Sequence, residues 1–233
     1  MNEASARGLL AIWANVDPDY QLEFVRWHNC EHVPERVAIP GFQVGRRYRA
    51  CGPERQYLMF YETDDPQVMA SAPYLQSQNN PTPWTRRSIA HFRDTLRTIY
   101  TLVASEGAAP RFDAPYLLLV RSNPPQQADG EQAVIDWYRE EHLPRLVAVD
   151  GVHRGRLYRA DDAVSGIVTA ERKVHGASSG SQAFLAMYEL ADPDIPTRAD
   201  WVEAARGTER SAAMVAALRD AERERYWLDF TLR

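Results

Sequence analysis

Two histidines stand four residues apart in His28-Asn29-Cys30-Glu31-His32, and a second Glu-His pair recurs at Glu141-His142. Residues i and i+4 share one face of a helix, so His28 and His32 can point into one space. An imidazole titrates near neutral pH and can give or take a proton there. The expected chemistry is proton transfer, with His32 as the first candidate, His142 as the second and His28 assisting. The structural alternative is a helix-end histidine that bonds backbone and fixes the proline turn after it. The five residues also fit H-x-x-E-H, the inverted zinc-peptidase order. Zinc needs a third protein ligand, and Tyr138 replaces the first histidine beside His142, so no metal site is expected. Arg46 and Tyr48 follow on one face of a strand by alternation, with Arg49 on the other. An arginine there could grip a carboxylate or enolate oxygen. A buried arginine needs a partner in any case, and the structural reading is an ion pair with a glutamate of the Glu-His motif that holds helix to strand. Trp84 and Arg86, in a proline-flanked segment, are candidates for the mouth of a substrate pocket.

These residues are positioned by a duplicated unit. Trp27 to Ala50 reads WHNCEHVPERVAIPGFQVGRRYRA, and Trp137 to Ala160 reads WYREEHLPRLVAVDGVHRGRLYRA. Half of the aligned positions are identical without a gap, among them Glu31/Glu141, His32/His142, Pro34/Pro144, Gly45/Gly155, Arg46/Arg156 and Tyr48/Tyr158. A fixed-offset repeat of this kind marks duplicated supersecondary structure. Leu9 to Trp13 faces Tyr116 to Val120, and Tyr57 to Glu62 faces Phe184 to Glu189. The register slips between the copies because the second carries an extra stretch at about 161–182. Its Gly, Ser and Ala content reads as a mobile loop. The modules are set at 1–106 and 107–233, joined near Ser105 to Pro110.

Each copy reads strand, helix, strand, strand, helix, strand. In the first, strands are expected at about 8–16, 42–50, 57–63 and 97–104. Asp17-Pro18-Asp19 starts a helix, and Pro34 should end it. The segment 66–92 should be helical, with breaks at Pro73 and at Pro81-Thr82-Pro83. This βαββαβ order is the ferredoxin-like pattern. The fold class is α+β: two tandem ferredoxin-like modules whose sheets pair within one chain as an α/β barrel with helices outside. Two chains could pair further as a homodimer.

W-x-x-x-E-H-x-P followed by G-x-x-x-G-R-x-Y resembles the dimeric α/β barrel superfamily, and most of all its EthD-like members. The helix-borne His32 ahead of Pro34 and the strand start Pro40-Gly41-Phe42 carry the resemblance. It covers both halves apart from the 161–182 stretch. The superfamily so implied includes cofactor-free monooxygenases, polyketide cyclases, muconolactone-type isomerases, decarboxylases, dehydratases and some haem proteins. The leading expectation is a cofactor-free enzyme acting on a small apolar carbonyl or aromatic substrate through His-mediated proton transfer. It would be an isomerase, cyclase, dehydratase or decarboxylase. The alternatives are a cofactor-free monooxygenase and a non-catalytic binding or accessory protein. Because His28 breaks the symmetry of the two copies, the first copy is the expected site.

The bulk numbers narrow the partners. A net charge of -5 opposes general nucleic-acid binding, which needs a basic surface. The apolar run at Gly8 to Val16 is too short to span a membrane. The two cysteines, Cys30 and Cys51, form no ligand spacing. No phosphate loop, dinucleotide fingerprint or G-x-S-x-G elbow is present. The expected partner is a small molecule, with no cofactor, in the cytoplasm. A single axial histidine would be enough for haem, so haem stays open at this point.

Overall fold

The computed structural model describes residues 6–110 and 112–233, so Met1 to Ser5 of the polar lead-in lie outside it. Eight strands are present: β1 (Gly8–Val16), β2 (Phe42–Ala50), β3 (Tyr57–Thr63), β4 (Phe92–Gly107), β5 (Tyr116–Asn123), β6 (Val152–Ala160), β7 (Phe184–Leu190) and β8 (Arg219–Leu232). Their hydrogen-bonded order is β1-β3-β2-β8-β5-β7-β6-β4, and the ladder closes as a barrel. The fold is the expected α+β class.

Contacts divide the chain into two compact units. One holds the chain up to Thr101 with Ala160–Ser181 and Leu228–Arg233, and the other holds Leu102–Arg159 with Gln182–Trp227. In the first, β1 pairs antiparallel with β3 and β4, and β3 with β2. In the second, β5 pairs with β7 and β8, and β7 with β6. Both are the ferredoxin-like arrangement that the duplication predicts.

The first unit carries helices α1 (Gln21–Trp27), α2 (Val33–Val37), α3 (Ala72–Asn79) and α4 (Pro83–Ile89). The second carries α5 (Gly130–Trp137) and α6 (Leu143–Val147). Pro34 does not end the helix. A π-helical turn, His28–His32, joins α1 to α2, and Tyr138–His142 joins α5 to α6 in the same way. Proline lacks an N–H and crowds the carbonyl four residues back. Widening the turn ahead of it relieves both, and the Val33 N–H bonds the His28 carbonyl five residues back. The breaks in 66–92 fall as the sequence predicts. Pro66, Pro73 and Pro83 open helical segments behind Asp65, Ser71 and Thr82, whose side chains cap them.

The 161–182 stretch is not a featureless loop. It forms α7 (Asp162–Ser165) and α8 (Ala170–His175), capped by Asp161 and Thr169. Val164 joins the core of the first unit.

Glycine explains the fixed spacing before each Arg-x-Tyr. A Cβ on Gly45 would lie 2.7 Å from Val33, and one on Gly155 would lie 2.8 Å from Leu143. The strand must be bare there for the helix bearing the histidine to sit down on it.

Candidate active site

The Glu-His pair divides its labour in both units. Glu31 accepts from the hydroxyls of Thr82, at 2.6 Å, and Thr85, at 3.0 Å. Thr85 in turn accepts from the Trp27 indole at 3.1 Å. Glu141 accepts from Thr208 and Ser211, and Ser211 accepts from the Trp137 indole at 3.0 Å. Thr82 and Thr208 are the caps of the following helices, α4 and α10 (Glu209–Ala217). The glutamate therefore clamps one helix to the start of another. It does not pair with the strand arginines, as the sequence suggested. Arg46 pairs with Glu62 at 3.0 Å, and Arg156 lies 3.5 Å from Glu189. The hydroxyls of Thr208, then Ser211, hold the Glu141 carboxyl below its usual range. Glu141→Ala is expected to cost about 1–3 kcal/mol, read as a lower urea midpoint.

With Glu31 and Glu141 so engaged, the histidines turn toward the sheet. His28 is fully buried. Its Nδ1 accepts from Arg47 at 3.3 Å, so its Nε2 donates to the Tyr61 hydroxyl at 3.3 Å. Arg47 also donates to Asp229 at 2.7 Å and to Asn29 at 2.8 Å. Both His28 nitrogens are thus committed to protein, and His28, Glu31 and His32 do not converge as zinc ligands. Among the described residues no cluster of His, Cys, Asp and Glu could hold a metal.

His32 is buried against Trp27, with ring centroids 4.4 Å apart, and its Nδ1 has no hydrogen-bond partner. Burial first, then Arg36 and the neighbouring histidines, push its pKa well below the ordinary value. Tyr48 is buried against Phe60. Trp84 is half-buried, donates to Glu23 at 3.0 Å and lies under Arg26. Arg86 borders a shallow open depression with Pro81 and Pro83. The structure does not gather Arg46, Tyr48 and Trp84 around one histidine.

The second unit holds a cavity of about 140 Å³ at His142. Trp137, Tyr138, Tyr188 and Trp201 supply aromatic walls, and Arg223 supplies a cation. Trp201 comes from α9 (Ala199–Arg206) and Arg223 from β8. His142 packs against Trp137, with ring centroids 4.0 Å apart and planes tilted by 33°, and meets Tyr138 edge-on at 5.0 Å. Its Nδ1 is buried without a partner. Burial, then Arg223, push its pKa down to about 3, so the ring is neutral at pH 7. Burial pushes the Tyr138 phenol up to about 12. It interacts with the Tyr188 hydroxyl at a geometry looser than an ordinary hydrogen bond.

Two replacements inside the repeated window line this space. Tyr138 stands for His28 and Leu146 for Arg36. On the second helix pair Trp201 stands for Tyr74 and Ala205 for Gln78. The sequence reading singled out His142 but missed Tyr188, Trp201 and Arg223, which come from outside the window. The loss of charge at position 146 was the available signal.

No protein-family model matches the chain, and no curated protein matches it in sequence. Solved structures do match its fold. An anthrone oxidase-like protein is similar with a TM-score of 0.61 at 11% identity, over 99% of this chain and 94% of that one. A chlorite dismutase from Candidatus Nitrospira defluvii, a mutant in complex with cyanide, is similar with a TM-score of 0.56 at 10% identity, over 97% and 92%. A monooxygenase-like protein from Listeria innocua is similar with a TM-score of 0.50 at 7% identity, over 97% and 96%. The shared property is the α+β barrel fold.

Proposed function

We propose that this protein is a cofactor-free enzyme that removes a proton from a small aromatic or enolisable carbonyl compound bound beside His142. The reaction type is that of an isomerase, cyclase, dehydratase or decarboxylase in an EthD-like setting. The observation that carries the reading is the apolar cavity with a neutral, buried histidine on its wall. At about 140 Å³ it matches the ~150 Å³ that takes up one benzene ring. Cofactor-sized pockets run to roughly 300–1,000 Å³, so a haem macrocycle does not fit this space. The ligand is a small molecule, and a cytoplasmic location belongs to the same proposal. Among the described residues no helix is long and apolar enough to cross a membrane.

The electrostatics select the substrate. A histidine with a pKa of about 3 is a weak base, and each unit of mismatch costs about 1.4 kcal/mol. The site therefore suits acidic positions: a phenol O–H, or a C–H between two carbonyls. Transfer creates an imidazolium next to a phenolate or enolate in a water-poor space, where the two charges stabilise each other strongly. Arg223 stands on the same wall and favours the anion. Trp137 packs against the imidazole and limits its rotation, while the Glu141 clamp holds the helix that carries it.

A monooxygenase is the second reading. The carbanion or phenolate formed here is what a cofactor-free oxygenation requires, and two of the structural relatives are described as anthrone oxidase-like and monooxygenase-like. Oxygen uptake coupled to substrate loss separates the two reactions.

The test is deuterium wash-in from D2O into a panel of cyclic 1,3-diketones and phenols, followed by NMR. Wild-type protein should accelerate exchange, and His142→Ala should lower that acceleration by about 10²–10⁴ with the far-UV spectrum unchanged. Equal exchange in the variant would remove His142 from the chemistry. Because His142 stays unprotonated well below neutrality, kcat/KM for a substrate that does not itself ionise should stay level from pH 8 to pH 6. An ordinary histidine base would lose activity in that window as it took up a proton.

A further inference from the structure

In the first unit the place that corresponds to the His142 cavity is filled by the 161–182 insertion, which carries a carboxylate into it. Glu171 of α8 is buried, and its two oxygens are held separately. Arg36, itself 1% exposed, donates to Oε1, and Gln78 donates to Oε2 at 2.8 Å. The repeat equivalents of Arg36 and Gln78 are Leu146 and Ala205, both on the wall of the open cavity. The first unit has therefore exchanged two apolar wall residues for a two-point carboxylate receptor.

We propose that this receptor is a second binding site, for a small carboxylic acid with an apolar body, and that Glu171 holds the carboxylate position in the free protein. Burying an ion pair is a poor way to fasten a segment, because desolvation offsets the attraction. Val164 already fastens the insertion by apolar packing. Burial pushes the Glu171 carboxyl up against the pull of Arg36, as expected of a charge set in a dry pocket. Two further polar atoms beside the receptor stay unused. His32 Nδ1 has no partner, and Arg97 Nη1 has none although Arg97 Nη2 donates to Tyr74 at 3.1 Å. They suit a ligand with a polar substituent on its ring. Tyr74 lies 6.0 Å under the Arg36 guanidinium, and the Trp27 indole flanks His32, so the apolar body has aromatic surfaces to meet.

The insertion is tied together internally, with its α7 half docked through Val164 in the core and Ser165 Oγ on the Ile99 N–H at 2.8 Å. Arg172 ties it to itself, donating to the carbonyls of Ser165, Ile167 and Ala177 and to the Ser179 hydroxyl. Its two ends are anchored on β4, where Asp161 N bonds the Ile99 carbonyl at 2.8 Å and Gly180 N bonds Thr98 Oγ1 at 2.9 Å. Its middle is held by Glu171, by Thr169 on Gln78 at 3.2 Å, and by the Ala170 N–H on Asn79 at 2.9 Å. An entering carboxylate replaces Glu171 on Arg36 and Gln78, and α8 swings out between the two anchors.

The experiment uses benzoate, with benzamide as the uncharged control, on the full chain. Calorimetry should show benzoate binding at least tenfold tighter to Glu171→Ala than to wild type, because Arg36 Nη2 and Gln78 are then vacated while Glu35 stays on Nη1 at 3.3 Å. Arg36→Leu, which restores the residue of the other copy, should lower the benzoate affinity to that of benzamide, and benzamide, an aromatic carbonyl that the His142 cavity can also take, should bind the three proteins alike. Should Glu171→Ala not fold, wild-type protein decides the matter by hydrogen exchange. Saturating benzoate should speed exchange in 162–175 while leaving the strands protected. Unchanged exchange there, or a benzoate affinity that Arg36→Leu leaves unchanged, would overturn the proposal. Neutral phenol binding at His142 is unaffected by Arg36→Leu, so this site and the proposed active site fail separately.

Discussion

Stability is expected to fall steeply as the pH drops from 7 to 5. His28, His32 and His142 are buried and neutral, and burial depresses all three pKa values. In the unfolded chain each takes up a proton near 6.5. Above that value neither state binds the proton, and the full stability is present. Below it the unfolded state binds more protons, so stability is lost as the pH falls, down to the folded-state value of about 3 for His142. Each histidine contributes a slope of about 1.4 kcal/mol per pH unit, and the three together give roughly 4. Against a typical total of about 5–15 kcal/mol, this brings acid unfolding close to pH 5. Urea midpoints taken from pH 8 to pH 5 measure it directly. His142→Gln should flatten the profile by about a third, and a level profile in the wild type would mean that these rings are not buried in the neutral form.

Arg36→Ala should be the most damaging single change in the first unit. It leaves Glu171 buried, with Gln78 its remaining hydrogen-bond donor. Removing one partner of a buried pair costs about 3–5 kcal/mol. Replacing both, as Arg36→Leu with Glu171→Leu, should restore most of that loss, because the other copy already builds its wall with Leu146 at the matching position. Chemical denaturation of the wild type and the two variants gives the comparison. A cost below 1 kcal/mol for Arg36→Ala would show that water reaches the pair.

The duplication made the strand order legible, since Gly45/Gly155 and Pro34/Pro144 impose the same helix-on-strand seat twice. Pro66, Pro73 and Pro83 also meant what such prolines usually mean, because each follows a capping side chain. Pro34 misled because the rule that helices stop before proline assumes a regular i to i+4 ladder. A π turn removes that assumption, and nothing in the residue types announces one. The 161–182 stretch misled through its small residues. Its helices are fixed by caps at Asp161 and Thr169 and by the burial of Val164 and Glu171, which are tertiary facts. The Glu-His motif was visible, but the partners of Glu31 and Glu141 were not, since Thr82 and Thr208 lie 51 and 67 residues away. Open space beside His142 depends on Leu146, Ala205 and Arg223 meeting from three elements. Only the first of these lies in the aligned window, where an arginine had become a leucine.

The central claim is that a small acidic ring binds beside His142 and presents its proton there. A crystal structure of the protein soaked with phenol tests it most directly. The ring should lie in the space bounded by Trp137, Tyr188 and Trp201, with its hydroxyl within about 2.6–3.2 Å of an imidazole nitrogen of His142. An empty cavity at saturating phenol, or a bound ring whose hydroxyl points away from His142, would contradict the account.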